Sequence, residues 1–203
     1  MSSTRPAPGE SRRDILRTAA RLFQERGYDA TSMQDIAGAL NFSKAALYHH
    51  FESKEQLLFE IMKYGMDVFE ERVLAAVEGI ADPEQRLRAC IARHVELVLS
   101  GRDREITVIL HENRTLAPEA GRQINARKKH YVVYLGELIA RVQQQRGLRR
   151  PSIEPHIAAM ALLGMINWMY QWYRAEGESS ETDIARQYTE QFFLGAFAES
   201  GAR

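Results

Sequence analysis

The chain has 203 residues, with 27 lysines and arginines set against 27 aspartates and glutamates, so its formal net charge is zero. That length can bury a real core in one large domain or two small ones. The even balance excludes a globally basic polyanion binder, and any nucleic-acid contact must come from how the charge is distributed. The single cysteine, Cys90, excludes a disulfide framework within one chain and suits a reducing cytoplasm. It sits in a helical pattern and reads as a buried, inert thiol. There is no apolar run of membrane-spanning length and no signal-peptide core at the N-terminus, so a cytoplasmic protein without a membrane partner is expected.

Met1–Ser11 is rich in Ser, Pro and Gly and reads as a disordered arm, whose Arg5 could reach a minor groove. Arg12–Arg26 is a helix with Ile15, Leu16, Ala19, Leu22 and Phe23 at helical spacing, and Gly27 is its C-cap. Arg12, Arg13, Arg17 and Arg21 occupy much of its polar face. Through Lys54 the basic residues outnumber the acidic ones eight to six. Thr31–Phe51, TSMQDIAGALNFSKAALYHHF, reads as two short helices around a tight turn. Thr31 and Ser32 offer an N-cap with Gln34 or Asp35 at capping-box distance, Asn41–Phe42 makes the break, and Ser43 is a second N-cap. The second helix buries Leu47 and Phe51, an i,i+4 pair, and shows Lys44, Ala45, Ala46, Tyr48 and His49 on its other side. Small residues allow close backbone approach to a surface, while a cation, a phenol and an imidazole suit phosphates. That is the composition of a helix laid into a major groove.

These residues, with LYHHFESKEQLL following TSMQDIA, resemble the DNA-binding domain of the TetR family of transcriptional regulators over about Arg12 to Leu58. The resemblance implies an all-α homodimeric repressor: an N-terminal three-helix bundle with a helix-turn-helix, and a larger C-terminal helical domain that binds a small effector. It divides the chain into an arm at 1–11, a DNA-binding domain at 12–52 and an effector-binding and dimerisation domain at 53–203. Two copies of Ser43–His49 are expected in successive major grooves of a palindromic double-stranded DNA operator. Lys44 would read a guanine edge, and Ala45 and Ala46 would meet thymine methyls. Tyr48, His49, Thr31, Ser32 and Lys54, where the family usually finds a phosphate ligand, would hold the backbone.

Further along, Ser53 with Gln56 opens a helix to about Val77, and Asp82–Pro83 opens another that ends at Ser100–Gly101. A short apolar piece covers Ile106–Glu112. Pro118 opens a long helix to about Arg146, Pro155 one through Tyr173, and Ser179–Ser180 the last, ending near Phe197. No strand-like alternation persists, which supports the all-α class. The Pro155–Tyr173 helix is apolar nearly all round, so it is buried on more than one side. One stripe, Ala158, Leu162, Ile166 and Met169, is assigned with Tyr188, Phe192 and Phe193 of the last helix to the dimer interface, which the family builds from its final two helices. Gly164 and Gly195 would permit close helix contact.

The other stripe, Met165, Trp168 and Trp172, is assigned to an effector cavity with Leu97, Ile109, Tyr131, Tyr134, Leu135 and Leu138. From Glu119 to Arg150 there are eight basic residues (Arg122, Arg127, Lys128, Lys129, Arg141, Arg146, Arg149 and Arg150) against two acidic ones. Lys128 lies one turn before Tyr131, which places a cation at the end of an apolar stripe. That pattern suits an amphiphilic anion. The segment GMINWMYQWYRAEG resembles the corresponding helix of the FadR-type, acyl-CoA-responsive members, which implies a long-chain acyl-CoA as effector. The rivals are an efflux regulator that holds a lipophilic cation on a buried Glu112 or Glu137, and a ligand-binding dimer without DNA binding. His94, His111, Glu112 and Cys90 fall in no catalytic or metal motif, so neither enzyme activity nor a cofactor is expected.

Overall fold

The structure is a computed structural model that describes residues 8–100, 104–111, 115–149 and 151–198. Arg5, Gly101, Glu112 and Arg150 of the sequence reading lie outside them. Among the described residues there are ten α-helices: α1 (Pro8–Arg26), α2 (Met33–Ala39), α3 (Lys44–His50), α4 (Lys54–Phe69), α5 (Pro83–Leu99), α6 (Arg104–His111), α7 (Pro118–Gln145), α8 (Pro155–Asn167), α9 (Met169–Trp172) and α10 (Glu181–Ala196). The described residues contain no strand, in keeping with the all-α class.

Three boundaries differ from the sequence reading. Helix α1 starts at Pro8, inside the segment expected to be disordered, because a proline at the first helical position loses no hydrogen bond. The helix expected from Ser53 to Val77 holds α-helical pitch only to Phe69, then continues as a π-helical turn, Glu70–Leu74, and a 3-10 turn, Ala75–Val77. The helix expected from Pro155 to Tyr173 is interrupted at Trp168, which separates α8 from α9. Periodicity counts apolar positions, and it does not register a local change of pitch.

The chain forms two compact units, Met1–Asp67 with Arg102–Ile124, and Val68–Gly101 with Asn125–Arg203. By contacts, α4 up to Asp67 and all of α6 group with α1–α3. In this first unit α6 packs on α1, and it approaches α4 at a residue that has no side chain. A Cβ on Gly65 would lie 2.6 Å from Cδ1 of Ile109 and 3.2 Å from the backbone oxygen of Glu105. Ile15, Phe23, Ile36, Leu47, Phe51, Leu57 and Leu58 form the core between the helices. Each such side chain stabilises the unit by about 1.5–3 kcal/mol on burial.

In the second unit α5 packs against α8, α9, α10 and the π-helical turn. Asp82 caps α5 by accepting from the Gln85 amide at 2.8 Å, as its place before Pro83 dictates. Glu84 accepts from Arg146, just past the end of α7, at 2.7 and 2.8 Å and from Arg88 at 3.1 Å. Arg88 stacks over Phe193 of α10 at 4.0 Å and pairs with Glu190 at 2.8 Å, so two carboxylates and two guanidiniums tie α5 to α10 and to the end of α7.

Candidate DNA-binding and effector sites

The helix-turn-helix is fixed by its caps. Ser32 and Asp35 form a reciprocal capping box at the start of α2: the Ser32 amide donates to Oδ2 of Asp35 at 2.8 Å and the Asp35 amide to Oγ of Ser32 at 3.1 Å. The Ser32 hydroxyl and the Ser32 amide, both donating to Oδ2, hold the Asp35 carboxyl below its ordinary range. At the other end, Phe42 donates to the Ala37 carbonyl at 2.9 Å and Asn41 to that of Gly38 at 3.1 Å, the paired bonds of a Schellman stop. Asn41 supplies the left-handed residue this stop requires, at φ 55°, a conformation asparagine tolerates better than most side chains. Helix α3 then starts at Ser43, whose Oγ accepts from the Ala46 amide at 3.1 Å.

Leu47 and Phe51 are buried as the i,i+4 spacing requires, and they pin one side of α3. Ser43, Lys44, Ala45, Tyr48 and His49 are exposed on the other side and Ala46 is half-buried. The Lys44 ammonium lies 5.8 Å from the Tyr48 ring centre, one turn on.

Two residues expected to hold phosphates are placed differently. Thr31 is 1% exposed, and its hydroxyl lies 2.8 Å from the Gly27 carbonyl and 3.3 Å from that of Leu22. It closes the end of α1 rather than facing solvent, because the chain must turn there and its carbonyls need donors. The Lys54 ammonium is turned inward, 3.0 Å from each of the Tyr28 and Thr31 carbonyls. Ser32 is exposed, with its hydroxyl engaged in the cap. Arg12, with its side chain 42% exposed, reaches the His50 carbonyl at 3.4 Å and Glu60 at 3.1 Å. Tyr28, whose ring and carbonyl both meet Lys54, was not singled out from the sequence. The only signal for it was its place beside the Gly27 cap.

In the second unit the expected effector residues Leu97, Tyr131, Leu135 and Leu138 are buried, while Lys128, Tyr134 and Met165 are half-buried. Ile109 belongs to the first unit, beside Gly65. A polar cluster lies within this apolar region: the Tyr131 hydroxyl is 3.2 Å from Nδ1 of His94 and 3.4 Å from Sγ of Cys90. Phe69 packs edge-on against both rings, at 5.0 Å from His94 and 4.6 Å from Tyr131. Burial drives the His94 pKa down to about 3 and the Cys90 thiol up to about 11, so both groups are neutral and Cys90 is the inert thiol its pattern suggested. Desolvation also lowers Lys128, to about 8. Glu137 is exposed, which removes it as a buried partner for a lipophilic cation.

The two stripes of α8 and α9 differ in burial. Ala158, Leu162, Ile166 and Met169 are fully buried within their own unit, with Phe192 and Phe193 also buried and Tyr188 half-buried, so the four have no surface to give a partner. The stripe assigned to the cavity is the one that faces out: Trp168 is 64% exposed, and Trp172 is exposed with its ring stacked 6.3 Å from that of Tyr188. Ile157, Met160, Ala161 and Gly164 share this outward side, and Leu194 on α10 is 78% exposed. The spacing separated two faces correctly but could not say which one α5 and α10 would cover.

Among the described residues no group of three or more metal-ligating side chains comes together, and no helix is long and apolar enough to cross a membrane. A capped pair of short helices with an exposed polar α3, joined in sequence to a helical unit with an outward apolar face, defines a helix-turn-helix regulator. Residues 15–61 match the family of bacterial regulatory proteins, tetR family, and residues 81–196 match the tetracyclin repressor-like C-terminal domain. The chain belongs to the TetR family of transcriptional regulators. It resembles the structure of AibR in complex with isovaleryl coenzyme A and operator DNA, with 47% identity, a TM-score of 0.83, and coverage of 92% of this chain and 98% of that one. The structure of PfmR from Thermus thermophilus is 34% identical over 89% of this chain and 97% of that one, with a TM-score of 0.79. The transcriptional repressor KstR2 of Mycobacterium tuberculosis is 25% identical over 192 residues, which is 94% of each chain. PfmR is a transcriptional regulator and KstR2 a transcriptional repressor, and this chain is of the ligand-responsive repressor type.

Proposed function

We propose that this protein represses transcription as a cytoplasmic homodimer that places two copies of α3 in successive major grooves of a palindromic operator and is released by an acyl-CoA. The observation that carries this reading is the near-full-length likeness to AibR, whose structure holds both an acyl-CoA and operator DNA. The outward face of α3 supports the DNA half. Lys44 is free to reach a guanine O6 or N7, the exposed Ala45 and half-buried Ala46 suit thymine methyls, and Tyr48, His49 and Ser43 suit the phosphates beside them. The outward stripe of Ile157, Met160, Trp168 and Trp172, with Leu194, supports the dimer, since exposed apolar residues in such number mark an interface. The bare surfaces of Gly164 and Gly195 let another helix come close. For the effector, Lys128 beside the buried Tyr131, Leu135 and Leu138 supplies a cation at the margin of an apolar region, which suits an anionic amphiphile.

The isovaleryl group in AibR favours a short branched acyl chain over the long chain that the α8–α9 segment suggests. The test is a fluorescence-anisotropy titration on a palindrome recovered by in vitro selection, with isovaleryl-CoA, palmitoyl-CoA or free coenzyme A added. Release by isovaleryl-CoA at micromolar concentration is expected. Release by palmitoyl-CoA alone would transfer the reading to long chains, and release by neither would remove acyl-CoA as the effector while keeping the repressor.

A further inference from the structure

We infer that His94 is an effector-binding residue: it offers Nε2–H to the carbonyl oxygen of an acyl thioester, and Tyr131 with Cys90 holds it in the tautomer that does so. This deepens the effector half of the proposed function and rests on it. Cys90 and His94 are an i,i+4 pair on α5, so their side chains leave one face of that helix, where both meet Tyr131 of α7. The Tyr131 hydroxyl lies between them, 3.4 Å from Sγ and 3.2 Å from Nδ1. A phenol has one proton to give, and an imidazole nitrogen accepts it far better than a thiol sulfur does. The network therefore assigns that proton to the bond with Nδ1, and the phenol oxygen accepts in turn from the Cys90 thiol. With Nδ1 an acceptor, the neutral imidazole carries its own proton on Nε2. Burial lowers the His94 pKa and raises that of Cys90, so both groups keep these forms around neutral pH.

One donor is left over. His94 is 4% exposed, and Tyr131 is its side chain's one hydrogen-bond partner among the described residues, so Nε2–H has no acceptor there. A buried N–H without an acceptor is costly, and a ligand that brings one gains by it. The surroundings select the kind of acceptor. Burial alone moves the His94 pKa, so no cation stands beside the ring. A carboxylate or phosphate placed here would lose its hydration without gaining a countercharge, whereas a neutral carbonyl meets a neutral donor. Leu97 and Val98, one turn beyond His94, and Leu135, one turn beyond Tyr131, are buried and give an acyl chain apolar neighbours. An acyl-CoA fits these demands: its thioester carbonyl joins an apolar chain to a long uncharged arm, which carries the phosphates away from the buried ring.

The test is isothermal titration calorimetry on the DNA-free full chain with isovaleryl-CoA and with its thioether analogue, in which a CH2 replaces the C=O. Should only palmitoyl-CoA bind, it and its hexadecyl thioether take their place. Wild type should bind the thioester about tenfold more tightly, the scale of one buried hydrogen bond. His94→Leu should bind the two compounds alike. His94→Gln, whose amide N–H replaces Nε2–H, should restore part of the preference. Tyr131→Phe should reduce it, because the imidazole is then free to take either tautomer. A His94 that only fills the core behaves otherwise: its variants would weaken both compounds by the same factor and leave their ratio as in wild type. That result, or a wild type that binds both compounds alike, overturns the inference and leaves the acyl-CoA reading standing. If His94→Leu does not fold, an unchanged ratio in Tyr131→Phe overturns it and a reduced one supports it. A wild type that binds no acyl-CoA removes the effector reading, and this inference with it.

Discussion

The Tyr131 hydroxyl and Nδ1 of His94 lie 3.2 Å apart in the interior of the second unit, with the Cys90 thiol on the other side of the hydroxyl at 3.4 Å. A buried polar group must find a partner or pay its desolvation cost, and here three such groups from α5 and α7 satisfy one another.

Acid sensitivity follows from this cluster. Burial lowers the His94 pKa from 6.5 to about 3, so between those values the unfolded chain binds a proton that the folded chain does not. Stability is therefore lost as pH falls below about 6.5, by up to about 1.4 kcal/mol per pH unit from this group. Urea denaturation at pH 7, 5 and 4 should show a shallower acid loss in His94→Leu than in wild type, although the variant starts lower at pH 7. Parallel curves would mean that His94 titrates normally.

Lys44→Ala should cost about 1–3 kcal/mol of operator affinity and relax preference at one base position per half-site. Selection of binding sites with the variant checks this. A uniform loss over all sequences would move Lys44 from base reading to phosphate binding.

Lys128 has opposed effects on stability and on response. Desolvation lowers its pKa from 10.5 to about 8, so as pH rises the folded chain loses this proton before the unfolded chain does, and stability rises through that window. Lys128→Met should raise the melting temperature at pH 7, flatten that rise, and weaken release by acyl-CoA several-fold. A variant that melts lower and responds normally would place Lys128 outside the effector site.

Trp168→Glu with Leu194→Glu should give a folded monomer by light scattering and reduce operator affinity more than tenfold, because one half-site binds alone. Both side chains are exposed, so helicity should not change. Ala158→Glu, by contrast, buries a charge in the unit's own core and should unfold it. If Trp168→Glu with Leu194→Glu remained dimeric, the partner face would lie elsewhere.

Much of this protein was legible from residue spacing. The capping serines, Asp82 before Pro83, the Asn41 turn and the Leu47–Phe51 pair depend on neighbours within a few positions, and the structure places all of them as their local chemistry requires. The outward set on α3 is legible for the same reason, since one side of a two-turn helix is fixed once the other is buried.

What spacing could not decide were the questions answered by distant partners. Whether Thr31 and Lys54 face solvent depends on carbonyls of the α1–α2 connection, which for Lys54 lie 23 and 26 residues away. Which stripe of α8 is buried depends on what covers it, and the Ala158–Met169 stripe and the Trp168 stripe are equally apolar. The grouping of α6 with α1 and α4 rests on a missing side chain at Gly65 that admits Ile109. Local spacing decides the caps at Ser32, Ser43 and Asp82 and which residues share a face, because those are properties of a few neighbours on one helix. Which face is covered and where each cation points depend on folding, because burial and hydrogen-bond satisfaction are properties of pairs that the fold brings together.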